Sequence, residues 1–75
     1  MVTAEYIEKK IASGFPDSEV RVIDIDGIGQ HFSVEVVSPS FKGKTTLAQH
    51  RMIYSALGED MKELIHALQI KTSTA

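Results

Sequence analysis

HFSVEVVSPSFKGKTTLAQHRMIYSAL, residues His31–Leu57, reads in turn as a half-buried strand, a tight polar turn and a long amphipathic helix. In HFSVEVVS, Phe32, Val34 and Val36 alternate with Ser33 and Glu35, the period-2 pattern of a strand with one face on a core. Pro39 lacks the N–H that a ladder needs and ends the strand. Gly43 supplies a flexible position, after which Thr45 or Thr46 can cap a helix by accepting from its free N–H groups. A 3.6-residue rhythm then sets Leu47, Ile53, Tyr54 and Leu57 on one broad apolar stripe. One strand and one helix cannot make a domain, so the flanking segments must complete the sheet and cover it.

Upstream, the chain is expected to be helical from Thr3, a fitting N-cap, to about Ala12. Glu5 stands in the first turn and Lys9 and Lys10 near the end that favours cations, while Tyr6, Ile7 and Ile11 form a narrow apolar side. Gly14 can close this helix, and Pro16 blocks its continuation past Phe15. Glu19 to Ile25 reads as a strand with Val20 and Val22 on one face and Ile23 and Ile25 on the other, a change of parity that suggests a bulge or a strand whose second half is buried differently. DGIGQ, Asp26 to Gln30, holds two glycines able to take positive φ and reads as a hairpin loop into His31.

Downstream, Gly58 is the expected stop of the long helix and Asp60 the cap of a short second helix through about Ile65. HALQIKT, His66 to Thr72, alternates again and reads as a third strand, with the residues from Ser73 onward expected to fray. The result is an α+β chain of order α-β-β-α-α-β, a three-stranded mixed sheet covered by helices. The first two strands are antiparallel. The long connection through two helices suits a right-handed crossover that lays strand three parallel to strand two. If these two are neighbours, His31 and His66 stand at the same end of the sheet, beside the glycine loop.

The 75 residues make one small domain, residues 1–75, near the size at which a single core still holds a fold. Apolar residues are 43% of the chain, enough for an ordinary core. A formal charge of −2 argues against a general electrostatic grip on phosphate backbones, though not against a local basic patch. With no cysteine, the chain forms no disulfide and offers no thiolate to a metal, so any thiolate comes from elsewhere. No apolar run reaches the roughly 20 residues of a membrane span, and the N-terminus lacks the order of a secretory signal. The expectation is a soluble intracellular domain with no membrane partner, monomeric when isolated, in the cytoplasm or an organelle matrix. The isolated glycines of DGIG lack the G-x-G-x-x-G spacing of a nucleotide fingerprint, and FKGKTT lacks that of a phosphate loop.

Neutral imidazoles that meet in space can ligate iron, zinc or copper. A lone histidine at a strand end is ordinarily a solvated surface residue, so it is the expected convergence of His31 and His66 that makes them candidates. Two imidazoles fall short of the four ligands that a closed zinc or cluster site wants, so this domain supplies half a site and a partner the rest. A domain that binds a mononuclear metal by itself is the other metal reading. His50 lies within helical reach of Tyr54 and reads as a partly buried residue packed beside Leu47 and Tyr54. Lys42, Lys44, His50 and Arg51 form a small basic face, whose plainest role is solvation and whose functional one is contact with DNA or RNA. Catalysis has little support: there is no cysteine, and Ser33 and Ser38 show no Asp–His partnership.

HFSVEVVS, then F-K-G-K and A-Q-H-R-M-I-Y-S-A-L, and I-H-A-L-Q-I-K-T near the end together resemble the BolA family, from about Tyr6 to Thr72. The resemblance implies a fold similar to the type II KH domain and a non-enzymatic adaptor. The implied partner is a monothiol glutaredoxin, with which the domain shares a [2Fe–2S] cluster in cluster trafficking or iron regulation. Glutathione and the glutaredoxin cysteine supply the thiolates. On this chain the implied ligands are His66, in the I-H-A motif, and His31, which best matches a Cys or His of the loop before strand two. The alternative is a nucleic-acid binding transcriptional regulator using Lys42, Lys44, His50 and Arg51; it lacks a G-x-x-G clamp. Two features depart from the pattern. Gln49 stands where many members carry the first arginine of R-H-R, and the family often continues into a Thr-x-x-x-Trp helix whereas this sequence stops at Ala75.

Overall fold

The computed structural model describes residues 2–74 and, within that span, all side chains except those of Asp60, Met61, Leu64 and Ile65. Helix α1, Ala4–Gly14, begins where the Thr3 hydroxyl accepts from the Tyr6 N–H at 3.1 Å. Its buried stripe is Ile7 and Ile11 alone, for Tyr6 is 45% exposed with the Lys10 ammonium 5.8 Å from its ring centroid. The expected apolar side was thus one residue too wide. Gly14 is the last helical residue, with Phe15 as the C-cap, and it serves packing: a Cβ there would stand 3.0 Å from that of Ala56 on the second helix. Lys10 donates to the Leu57 carbonyl at 2.8 Å, tying α1 to the C-terminal end of that helix.

Strand β1, Glu19–Asp24, pairs antiparallel with β2, Phe32–Val37, through an unbroken ladder from Glu19↔Val37 to Asp24↔Phe32. The bulge read into the parity change is absent. Val20 and Val22 pack on the core, whereas Ile23 and Ile25 stand out on the open face, 54% and 49% exposed. β-branched side chains suit a pleated strand on either face, so composition here did not report burial.

β2 is the central strand, with Phe32, Val34 and Val36 fully buried. After it, Ser38 caps a 3₁₀ turn, Pro39–Phe41, its hydroxyl accepting from the Ser40 N–H at 3.1 Å. That turn drives Phe41 into the core, where its ring meets that of Phe15 at 5.3 Å and 56°. Helix α2, Thr46–Leu57, is capped by Thr45, which accepts from the Ala48 N–H at 3.1 Å, and stops at Gly58 with φ 85°. Ile53 and Leu57 are buried; Leu47, expected on the same stripe, is 60% exposed.

The expected short α-helix is instead a 3₁₀ helix, Glu59–Ala67, which starts before Asp60 and runs past Ile65. A 3₁₀ helix rises about 2.0 Å per residue against about 1.5 Å for an α-helix, so the same residues carry the chain further on its way back to the sheet. The Asp60 side chain, expected as a cap, lies outside the described residues. Strand β3, Leu68–Ser73, then pairs parallel with β2 from Phe32↔Leu68 to Val37↔Ser73. Ser73 is not frayed: its carbonyl accepts from the Ser38 N–H at 3.0 Å. The sheet order is β1-β2-β3, with α1 and α2 on one face and the other face open. The histidines sit just outside the strands they were expected to head, His31 one residue before β2 and His66 in the last turn of the 3₁₀ helix.

Candidate functional site

The parallel pairing of β2 with β3 means that the chain enters both strands from one rim of the sheet. Adjacent strands lie about 4.8 Å apart, so the segments leading into them are neighbours. His31 precedes Phe32 and His66 precedes Leu68 by two positions, and both residues are exposed.

The loop that carries His31, residues 25–31, is held by two aspartates. Asp24 accepts from the Gly27 N–H at 3.0 Å through one carboxylate oxygen and from the Gly29 N–H at 2.9 Å through the other. Gly27 and Gly29 take φ of 75° and 77°, a region an L side chain rarely visits, which is why glycines stand at both bends. Asp26 accepts from the Ile28 N–H at 3.2 Å and meets His31 Nδ1 at 2.8 Å. The Ile25 N–H donates to the His31 carbonyl at 2.9 Å, which fixes the backbone from which the ring projects.

The His31 contact, helped by the Ile28 N–H and opposed by partial desolvation, holds the Asp26 carboxyl well below the usual carboxylate range. An ionised carboxylate only accepts, so His31 Nδ1 carries the hydrogen of this bond. In the neutral ring the lone pair then resides on Nε2, and the His31 side chain is 62% accessible. This carboxylate–imidazole arrangement is the one that commonly orients a metal-binding histidine and raises its basicity. The sequence reading found both histidines and missed Asp24 and Asp26; the signal was D-x-D-G-x-G, aspartates spaced to bond the N–H groups of a glycine turn.

Lys42 and Lys44 occupy the turn after β2 and therefore the opposite rim. Both are exposed, as is Arg51 on α2, while His50 is half-buried. The structure does not bring this basic face to the histidine rim. Gln49 is the residue the sequence reading undervalued: its amide donates to the Phe41 carbonyl at 3.2 Å and the Lys44 carbonyl at 2.9 Å, and its oxygen accepts from the Thr72 hydroxyl. It thus clamps the Phe41–Lys44 turn to α2 and β3.

Ser38 is buried and spends its hydroxyl on the 3₁₀ cap, so it is no nucleophile. Among the described residues, no group of three or more His, Cys, Asp or Glu is placed to hold a metal ion. The rim thus offers two imidazoles, fewer than the four ligands of a closed structural metal site. Among the described residues, no helix is long and apolar enough to cross a membrane.

The family described as BolA-like protein matches residues 13–75, which include both rim histidines and all three strands. A relative from Arabidopsis thaliana, Protein BOLA2, is 51% identical over 72 residues, spanning 95% of this chain and 76% of the relative. The DNA-binding transcriptional regulator BolA of Escherichia coli (strain K12) is 37% identical over 81 residues, spanning 99% of this chain and 77% of the relative. The fold is similar to that of a bolA protein homologue from Coxiella burnetii, with a TM-score of 0.80 and 43% identity over 99% of this chain and 92% of that one. Likeness that runs through the sheet, the long helix and the rim at once makes this chain a member of the BolA family.

Proposed function

We propose that this chain is a non-enzymatic adaptor that pairs with a monothiol glutaredoxin around a shared [2Fe–2S] cluster, in cluster trafficking or iron regulation. His66 and His31 are its two ligands, and the glutaredoxin cysteine and glutathione bring the thiolates. The observation that carries this reading is one exposed rim holding two imidazoles, one of them held through Nδ1 by Asp26, which leaves Nε2 outside that contact. The chain's own residues bind and orient: Asp24 and the glycines fix the loop, and Asp26 fixes the ring. Two neutral imidazoles in place of two thiolates make a cluster less negative and raise its reduction potential.

The test is to mix the protein with cluster-loaded monothiol glutaredoxin and follow the visible spectrum. The spectrum changes with the parent protein, and His66→Ala abolishes the change. An identical response in His66→Ala overturns the assignment.

A second reading is favoured by the name of the Escherichia coli relative, a DNA-binding transcriptional regulator. Here Lys42 and Lys44 in the turn at the opposite rim, with His50 and Arg51 on α2, contact phosphates. Affinity for DNA or RNA then falls with salt, and Lys44→Ala or Arg51→Ala lowers the logarithmic slope by about 0.9 for each phosphate that the removed side chain neutralised. An unchanged slope in both variants rejects it.

A further inference from the structure

The open face of the sheet is divided along its length. In cross-strand register its rows are Glu19–Val37–Ser73, then Arg21–Glu35–Lys71, then Ile23–Ser33–Gln69, and last Ile25 beside His31. Charges occupy the first two rows, at the rim away from the histidines. The two rows at the histidine rim carry no charged group other than the His31–Asp26 pair itself.

In those rows the apolar side chains face water. Ile23 and Ile25 are 54% and 49% exposed, and Ile28, at the tip of the loop carrying His31, is 60% exposed. Of the large apolar side chains exposed among the described residues, these three lie within five positions of one another and within eight of His31. A single exposed isoleucine is ordinary; three grouped beside an incomplete ligand site, two of them on a sheet face whose far rows carry Glu19, Arg21, Glu35 and Lys71, mark an interaction surface. Loss of charge at the centre of a patch is the compositional feature of a protein–protein interface.

We infer that Ile23, Ile25 and Ile28 form the docking surface for the partner that completes the histidine rim, a protein whose thiolate-bearing cysteine is surrounded by uncharged, apolar surface. This rests on the proposed function and adds where and how the partner sits. The patch is continuous with His31, so a partner placing sulfur there covers it. Apolar contact there makes docking possible before any metal bond forms.

The experiment measures, by calorimetric titration without iron, the affinity of a monothiol glutaredoxin for three proteins. These are the parent, the triple variant Ile23→Thr/Ile25→Thr/Ile28→Thr and the control Leu47→Thr. Threonine keeps the β-branched backbone preference, and all three sites are solvent-facing, so the triple variant folds, as its circular dichroism will register. One buried methylene is worth roughly fourfold in affinity, so the triple variant weakens binding by about tenfold or more. Leu47→Thr, similarly exposed but at the start of α2, leaves affinity unchanged. Equal affinity of the triple variant and the parent overturns the docking surface while leaving the cluster reading to its own spectral test. A loss matched by Leu47→Thr overturns it as general stickiness. Sedimentation showing a parent dimer that the triple variant makes monomeric gives the patch to a second copy of the chain and overturns it too. Absence of parent binding to the glutaredoxin, empty or cluster-loaded, overturns both proposals.

Discussion

Replacing Gln49 by alanine should loosen the junction between the turn after β2, helix α2 and strand β3. Gln49 donates to two carbonyls and accepts from Thr72, and its net contribution is about 1 kcal/mol for each of three hydrogen bonds. Against this, alanine releases about 1 kcal/mol of glutamine rotamer entropy at a half-buried site and is the better helix former by a few tenths. The balance is a loss of about 1.5 kcal/mol, which for a domain of this size lowers the melting temperature by about 6–12 °C. Thermal unfolding followed by far-ultraviolet circular dichroism measures it directly. A double-mutant cycle with Thr72→Val adds the decisive control, since residues sharing a bond couple by about 0.5–1 kcal/mol whereas independent ones add. A Gln49→Ala protein melting within about 2 °C of the parent, or strict additivity with Thr72→Val, would refute the view that this side chain holds the turn in place.

Phe41→Ala empties a fully buried site and breaks the contact with Phe15, at about 3–5 kcal/mol. Against the roughly 4–11 kcal/mol expected for a chain of this length that is a large share, so Phe41→Ala unfolds at much lower urea than the parent or Phe41→Leu, and a Phe41→Ala midpoint near the parent's refutes the burial. Gly14→Ala improves helix propensity but sets a Cβ 3.0 Å from that of Ala56, and because that methyl is fixed to a helix the packing loss of about 1–3 kcal/mol wins; a raised urea midpoint would reverse the sign. For Asp26, whose carboxyl is held below its ordinary range, the stabilisation is complete above the unfolded carboxylate value of about 4 and is lost as pH falls towards the folded value. The gap in urea midpoint between the parent and Asp26→Asn therefore narrows below about pH 4, and a gap as wide at about pH 3 as at pH 6 refutes the ionised Asp26 carboxylate in this contact.

What could be read from the sequence was whatever depends on neighbours along the chain. The alternation in Phe32–Val36, the caps Thr3 and Thr45 and the stop at Gly58 are local rules, and each stands in the structure. Burial that depends on distant partners could not be read this way. Phe41 sits among serine, lysine and glycine, so no periodic pattern marks it, yet the 3₁₀ turn capped by Ser38 aims it at Phe15. Leu47 and Tyr6 fit helical stripes but fall beyond the part of each helix that faces the sheet, and the isoleucines at 23 and 25 suggested a bulge although isoleucine suits a regular strand on either face. At the rim, both histidines were legible as residues and their common side followed from strand order. The Asp26–His31 pair depended on how a five-residue gap folds, and the Gln49–Thr72 bond spans 23 positions.

One topological fact sorts the two functional readings. Because β2 and β3 run the same way, the segment leaving β2 and the segments entering β2 and β3 lie at opposite ends of the sheet. The first carries Lys42 and Lys44 in a turn clamped by Gln49; the others carry His31 and His66 beside uncharged, isoleucine-rich rows. A polyanion held at the basic end and a sulfur donor held at the histidine end would then touch different side chains, so each can be removed without disturbing the other. Gln49→Ala frees the basic turn and leaves the Asp26–His31 pair intact, whereas Asp26→Asn alters the ring's partner at the far rim. If either substitution impaired both nucleic-acid and glutaredoxin binding in a protein that remained folded, the two ends would have to be coupled through β2, the strand that joins them.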